Sequence, residues 1–189
     1  MSPVPSQYVS RARIRDGTPV TVRPIRPEDV PLMVGFHESL SERSVYTRYF
    51  QAMGLDRRTA YERLMRVCFV DYDREVALVA ERKDHETGEP EILGVGRLSK
   101  HCIVPGEAEV ALLVSDRFQH QGLGTTLLEK LLEVARVQGL SRITADMLFE
   151  NRPTQRLLEK LGFRLKRDKG EGVVKAELDL REDVEPRPR

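Results

Sequence analysis

Two glycines and the residues around them carry the clearest chemical signal in this sequence. Gly122 and Gly124 lie in the segment Gln-His-Gln-Gly-Leu-Gly-Thr, residues 119–125, between a predicted strand and a predicted helix. Glycine lets a backbone pass close to a ligand, and the free N–H groups in the first turn of a helix bind anions. This segment, called the glycine loop below, is typical of a phosphate or pyrophosphate site, although an ordinary glycine-rich turn has the same composition.

Two other kinds of phosphate-binding loop are excluded by the residues. The chain contains no Gly-x-x-x-x-Gly-Lys-Ser/Thr segment. The pair Gly94 and Gly96 lies inside a predicted strand, and Ser99 stands where a dinucleotide-binding loop has its third glycine. The sequence therefore predicts neither an NTP-binding loop nor a dinucleotide-binding fold.

Two glutamates precede the glycine loop on one predicted strand. Glu107 and Glu109 are two residues apart, so their side chains share a face of that strand. A partly buried carboxylate can act as a general base that accepts a proton from a substrate, directly or through one water molecule. A surface strand also carries such acids without a catalytic role.

The glycine loop is positioned by the third of three consecutive strands and by the helix that follows it. This order of elements predicts a mixed α/β fold with one right-handed crossover after the third strand of the meander. Short apolar runs and alternating apolar residues predict strands over residues 20–23, 75–81, 92–98, 107–115, 142–147 and 173–180. Helical spacing predicts helices over about residues 28–40, from residue 41, and over residues 58–69, 123–135 and 153–161.

Length and charge limit the class of protein. The 189 residues fit a single domain, predicted over residues 13–180, with flexible ends at residues 1–12 and 181–189. The net charge of +1 argues against a nucleic-acid partner. No apolar run approaches the ~20 residues that span a bilayer. Since the first residues also lack the pattern of a secretory signal, the sequence predicts a soluble, cytoplasmic protein without a membrane partner.

The cysteines and histidines form no metal-binding pattern. Cys68 and Cys102 are 34 positions apart and cannot supply a four-ligand zinc site or a disulfide framework. Both are predicted to be small buried hydrophobic residues. The four histidines, at positions 37, 85, 101 and 120, include no His-x-x-x-His pair and are interpreted as surface or structural residues. No metal site is predicted.

Two segments of the chain resemble one known enzyme family. Gln119-x-x-Gly122-x-Gly124, with the preceding strand Glu109-Val-Ala-Leu-Leu-Val114, resembles the acetyl-CoA signature of the GNAT superfamily of N-acetyltransferases. Twenty-nine residues after Gly122, the run from Asn151 to Leu-Gly-Phe163 is similar to a second element of that family. The resemblance covers residues 18–180. It implies a GNAT fold, in which a mostly antiparallel sheet of about six to seven strands splays at the cofactor groove, with helices on both faces.

Three segments in the N-terminal part of the chain resemble a particular group within this family. Residues 16–18, 23–29 and 40–50 are similar to the acetyltransferase domain of bacterial protein-lysine acetyltransferases that modify acyl-CoA synthetases. This resemblance implies direct transfer of an acetyl (acyl) group from acetyl-CoA to a protein lysine in a ternary complex, without a metal. Two alternatives stay open: an acetyltransferase for small-molecule amines, and a non-catalytic regulatory module that binds acyl-CoA.

The resemblance also implies roles for individual residues. Glu109 would be the general base, with Glu107 as the second choice. Leu158 stands where many relatives have a tyrosine that is thought to protonate the leaving thiolate, which favours the regulatory alternative. Asn151 would contact the cofactor arm or a bound water, or else cap the helix that starts near Pro153. The predicted acetyl-CoA-binding residues are Leu112, Leu113, Val114, Gln119, His120, Gln121, Gly122, Leu123, Gly124, Thr125 and Asn151.

Overall fold

The computed structural model describes residues 5–181, in which eight strands form one sheet in the order β1-β2-β3-β4-β5-β6-β8-β7. Neighbouring strands are antiparallel except for β5 and β6, which are parallel and joined through α5. The strands are β1 (Ser10–Arg13), β2 (Pro19–Pro24), β3 (Glu75–Lys83), β4 (Pro90–Lys100), β5 (Glu107–Val114), β6 (Arg142–Leu148), β7 (Arg164–Asp168) and β8 (Val173–Asp179). The helices are α1 (Val30–Glu38), α2 (Glu42–Tyr49), α3 (Leu55–Thr59), α4 (Tyr61–Cys68), α5 (Leu123–Val137) and α6 (Arg152–Lys160).

The predicted mixed α/β class and mostly antiparallel sheet are confirmed, with eight strands where six or seven were expected. The additional strands are β1 and β7, which are short, highly charged and without a buried residue. β1 pairs with β2 from Ser10 onward, so this strand begins inside the segment 1–12 that was predicted to be a flexible end. Of the predicted flexible ends, residues 1–4 and 182–189 lie outside the described residues.

Adjacent residues of β4 show that helices cover both faces of the sheet. A Cβ atom added to Gly96 would lie only 2.9 Å from Leu131 Cδ1, so α5 packs closely on the face to which this residue points. Arg97 points to the opposite face, where its guanidinium donates to the carbonyl of Val67 in α4. Since paired residues share a face, Ala111 and hence Glu109 of β5 lie on the α4 side of the sheet.

The apolar stripe predicted for residues 123–135 is the part of α5 that packs on the sheet. Leu123, Leu127, Leu128, Leu131 and Ala135 are at most 1% exposed. Burying one such leucine contributes roughly 1.5–3 kcal/mol, so this stripe is a major source of stability. It holds the start of α5, and with it the glycine loop, firmly against β4 and β5.

The N-terminal segment that narrowed the family resemblance contains a buried ion pair. Arg23 of β2 donates to both carboxylate oxygens of Asp29, at 2.7 and 2.8 Å, and also contacts Glu81 of β3. Arg23 and Asp29 are 6% and 4% exposed. A buried charge needs such a partner. These residues therefore fix the entry into α1 and have a structural role.

Candidate active site

A cleft opens in the middle of the sheet where β5 and β6 separate. The two strands pair only from Glu107 to Glu109 and from Arg142 to Thr144, and they diverge beyond that point. The space between them is part of a cleft of about 780 Å³. Because residues 110–114 have no partner strand on this side, their backbone groups can pair with the amides of an extended ligand.

The glycine loop lies at the wide end of this cleft and has the geometry of an anion site. Gly122 caps the N-terminus of α5 with φ 86°, a conformation that favours glycine. Among the described residues, the N–H groups of Leu123, Gly124 and Thr125 donate to no protein acceptor. They belong to the first turn of α5, a 15-residue helix whose dipole attracts negative charge at this end. This arrangement suits a phosphate or pyrophosphate group.

Three hydrogen bonds hold the glycine loop in place. The side-chain amide of Gln119 donates to Ser44 Oγ at 2.9 Å and to the carbonyl of Val114 at 3.1 Å. The backbone N–H of Arg15, in the turn between β1 and β2, donates to the carbonyl of Gln121 at 2.8 Å. The predicted cofactor residue Gln119 therefore uses its side chain to connect the loop to α2.

Asp116 attaches the start of α2 to the segment that follows β5. Its carboxylate accepts hydrogen bonds from the backbone N–H and hydroxyl of Ser41, at 2.9 and 2.7 Å, and from the hydroxyl of Ser44 at 2.9 Å. Burial alone would raise the pKa of Asp116, but the hydrogen bonds from Ser41 and Ser44 hold it below the usual value. The carboxylate is therefore ionised at neutral pH and fixes α2 beside the cleft.

From this anchor, α2 follows the cleft toward Glu109. Arg48, near the end of α2, lines the cleft. Burial lowers the pKa of Arg48, and the negative charge of the nearby Glu109 opposes that shift. The guanidinium groups of Arg48 and Arg63 lie 5.0 and 5.1 Å from the centroid of the Tyr49 ring. One wall of the cleft is thus a helix fixed at both of its ends.

The structure separates the two candidate bases. Glu109 is exposed, lines the cleft at the point where the strands separate, and forms no hydrogen bond or ion pair with the described residues. Glu107 does not line the cleft, and its carboxylate is 3.0 Å from the guanidinium of Arg142. The geometry therefore leaves Glu109 free to accept a proton, whereas Glu107 is engaged in a structural ion pair.

A carboxylate that the sequence did not single out also lies in the cleft. Asp146 of β6 is two residues from Thr144, which pairs with Glu109, so all three side chains share one face. Partial burial raises the pKa of Asp146, and Lys175 opposes the shift. Asp146 forms no hydrogen bond or ion pair with the described residues. No sequence pattern singled out this residue, because only the parallel register of β6 with β5 places it on the same face as Glu109, beside the opening of the cleft.

Most of the predicted acetyl-CoA-binding residues line the cleft. Two do not: Gln121 contributes its carbonyl to the bond with Arg15, and Leu123 is 1% exposed in the core. Asn151 lines the cleft and also caps α6, since its side-chain oxygen accepts from the N–H of Thr154 at 3.4 Å. The residues found in the cleft lining are Leu112, Leu113, Val114, Gln119, His120, Gly122, Gly124, Thr125 and Asn151.

Sequence reasoning missed the positive charge at the cleft. Arg15 and Arg43 line it, from the β1–β2 turn and from the first turn of α2. Neither position carries a local signal, because each depends on a distant contact with the segment after β5.

Of the cysteines, Cys68 is buried, as predicted, whereas Cys102 is exposed, because it lies in the loop between β4 and β5 outside the core.

Leu158 lines the cleft from α6 and is 1% exposed. Its side chain has no acidic proton, so it cannot protonate a leaving group.

Within residues 5–181, no cluster of three or more His, Cys, Asp or Glu side chains could hold a metal ion. None of the helices in this range is long and apolar enough to cross a membrane.

Comparisons with known proteins agree with this architecture. Residues 20–164 match the family described as the acetyltransferase (GNAT) domain. Acetyltransferase PA5475 of Pseudomonas aeruginosa is 32% identical over 153 residues, which are 81% of this chain and 79% of that protein. Acetyltransferase Pat of Mycolicibacterium smegmatis is 27% identical over 180 residues, which are 95% of this chain and half of Pat.

Solved structures show the same fold. The GNAT domain of S. lividans PAT superposes with a TM-score of 0.82 at 31% identity, covering 94% of this chain and all of that domain. Mycobacterium smegmatis RimJ, solved with CoA-disulfide, superposes with a TM-score of 0.71 at 19% identity, covering 94% of this chain and 89% of RimJ. With a GNAT match over most of its length and a cleft suited to acetyl-CoA, the chain belongs to the GNAT family of acetyl-CoA-dependent acetyltransferases.

Proposed function

We propose that this enzyme acetylates the side-chain amine of a protein lysine, with an acyl-CoA synthetase as the class of protein substrate. The observation that carries the proposal is the placement of a free carboxylate, Glu109, at the narrow end of a cleft whose wide end is the glycine loop. The resemblance of residues 23–29 and 40–50 to protein-lysine acetyltransferases supports the choice of acceptor. The similarity to S. lividans PAT and to Pat supports it as well.

Acetyl-CoA is proposed to lie along the unpaired edge of β5. The pyrophosphate would accept hydrogen bonds from the free N–H groups of residues 123–125 at the start of α5. The amides of the pantetheine arm would pair with the backbone of residues 112–114. This placement brings the thioester toward Glu109, because β5 runs back from the glycine loop to that residue along the cleft.

The reaction is proposed to be a direct attack of the lysine amine on the thioester carbonyl. The ammonium must first lose a proton, which costs about 4.6 kcal/mol at pH 7 for a pKa of ~10.4. Glu109 would accept that proton, directly or through one water. A bond then forms between the amine nitrogen and the acetyl carbon, the carbon–sulfur bond breaks, and CoA leaves as a thiolate. Asp146 is the alternative proton acceptor, because its raised pKa favours the protonated form.

The leaving thiolate would be protonated from solvent. Leu158 occupies the position from which a tyrosine could act and has no proton to donate. A thiol of pKa near 8.5 is a tolerable leaving group without an acid. The absence of a proton donor at this position therefore weakens the last step without preventing turnover.

Mass spectrometry tests this proposal. The enzyme is incubated with isotopically labelled acetyl-CoA and a purified acyl-CoA synthetase, and labelled acetyl-lysine is sought in tryptic peptides. Label on the synthetase supports the proposal. Label only on added small amines would identify a small-molecule acetyltransferase, and acetyl-CoA binding without any transfer would identify the regulatory module that Leu158 favours.

A further inference from the structure

The loop between β4 and β5, residues 101–106, presents two apolar side chains to solvent. Ile103 is 92% exposed and Val104 is 43% exposed. Neither packs against the core of the described structure. A single exposed apolar residue is common on protein surfaces and needs no explanation. Whether these two residues form a binding surface depends on where they lie relative to the cleft.

Two contacts place the start of this loop beside the narrow end of the cleft. The backbone N–H of His101 donates to the carbonyl of Glu107 at 2.9 Å. Its imidazole Nε2 lies 3.5 Å from the hydroxyl of Thr144, the residue that pairs with Glu109. Because Thr144 and Glu109 share a face, the loop leaves the sheet next to the proposed base.

A third apolar residue borders the same end of the cleft from α2. Phe50 follows the last turn of α2, lines the cleft and is 39% exposed. Its φ of 59° is in the left-handed region, where an aromatic residue is uncommon. Arg48, two residues earlier, lies near Glu109. Phe50 and the β4–β5 loop therefore approach the proposed base from two different elements.

We propose that Ile103, Val104 and Phe50 form a docking surface for the folded protein that carries the acceptor lysine, an inference that rests on the function proposed above. Phe50 lines the cleft together with Glu109 and Asp146, and the β4–β5 loop that carries Ile103 and Val104 starts at His101, beside the residue that pairs with Glu109. Glu109 and Asp146 complement the positive charge of a lysine, whereas the apolar rim complements apolar side chains next to that lysine. Ile103 does not line the cleft, so a small amine bound inside the cleft is not expected to contact it.

The substitution Ile103→Asp tests the proposal without touching the cleft lining. We expect kcat/KM with an acyl-CoA synthetase to fall at least tenfold, because a charge would replace a buried apolar contact of the complex. The rate with Nα-acetyl-lysine amide and the shift of melting temperature by acetyl-CoA are expected to stay within twofold of wild type. Val9→Asp, at a residue 46% exposed just before β1 at the edge of the sheet, is the matched control and is expected to change none of these values.

The outcomes separate this inference from the proposed function. A wild-type enzyme that acetylates the synthetase, together with an Ile103→Asp variant of equal kcat/KM, would overturn the docking surface and leave the function standing. An equal loss with synthetase and with Nα-acetyl-lysine amide would also overturn it, since the loop would then act on catalysis itself. A wild-type enzyme that acetylates only small amines would overturn both.

Discussion

Glu109 and Thr144 are the last residues at which β5 and β6 pair. Beyond them the two parallel strands separate, and each keeps its antiparallel partner on the other side. A carboxylate at this position is held by the backbone of a paired strand, yet it opens onto the cleft. The proposed proton acceptor therefore needs no side-chain contact to be positioned, and its oxygens stay free for a substrate.

Acetyl-CoA binding depends on the glycine loop. Gly124→Glu places bulk and negative charge where the pyrophosphate is expected, so the variant should lose the shift of melting temperature that acetyl-CoA causes. At 100 times the dissociation constant, that shift corresponds to about 2.7 kcal/mol in the wild type. The variant should still fold, because a Cβ atom at Gly124 would meet only Leu157 at 3.5 Å and Val114 at 4.0 Å.

Gly35→Glu is the matched control for this experiment. Gly35 is an exposed helical residue of α1 with open space around it, so the same change of residue adds the same charge away from the cleft. Thermal unfolding with and without acetyl-CoA measures both variants. An undiminished shift for Gly124→Glu would show that the phosphates bind elsewhere.

The substitution Asp146→Asn should show whether Asp146 binds the acceptor or affects only the stability of the fold. Because partial burial raises the pKa of Asp146, its ionised form is favoured in the unfolded chain, and this destabilises the fold as pH rises through the folded pKa. The asparagine variant cannot ionise and should melt at the same or a slightly higher temperature at pH 7. If Asp146 binds the acceptor, the same variant should raise the acceptor KM several-fold. Unchanged kinetics together with a lower melting temperature would make Asp146 a structural residue.

The buried His37 should lower the free energy of unfolding in acid. Burial and the nearby Arg63 and Arg58 lower the pKa of His37 from 6.5 to about 4. The unfolded chain therefore binds the proton first, so stability is complete above pH 6.5 and falls as pH decreases toward 4. Urea unfolding across this range should show a weaker pH dependence for His37→Leu than for wild type. Identical slopes for the two proteins would show that His37 does not carry the effect.

The elements around the glycine loop were predictable because their signals are local. The leucine spacing of α5 and the glycine turn before it depend on neighbours along the chain, and the structure has this helix and this turn where they were predicted. β1 and β7 were missed because pairing with β2 and β8 stabilises them, and their own residues are largely charged. Register and pairing are long-range properties that no short segment encodes.

The same distinction applies to the candidate site. Gly122 and Glu109 could be identified in sequence, since one belongs to a loop pattern and the other to the strand before it. Asp146 and Arg48 could not, because they reach the cleft only when β6 and α2 are placed beside β5. Gln119 shows a further limit: its type fits a ligand contact, whereas its side chain holds Ser44 and Val114.

The most direct test of the account is the rate of CoA release from acetyl-CoA with a lysine acceptor, measured in wild type, Glu109→Gln and Glu107→Gln. Glutamine keeps the shape of the side chain and removes the proton acceptor. We predict that Glu109→Gln lowers turnover by roughly 10² to 10⁴ and leaves acetyl-CoA affinity within a few-fold, with partial recovery at alkaline pH. Glu107→Gln is predicted to retain most activity, because its carboxylate pairs with Arg142. Wild-type turnover by Glu109→Gln would contradict the account.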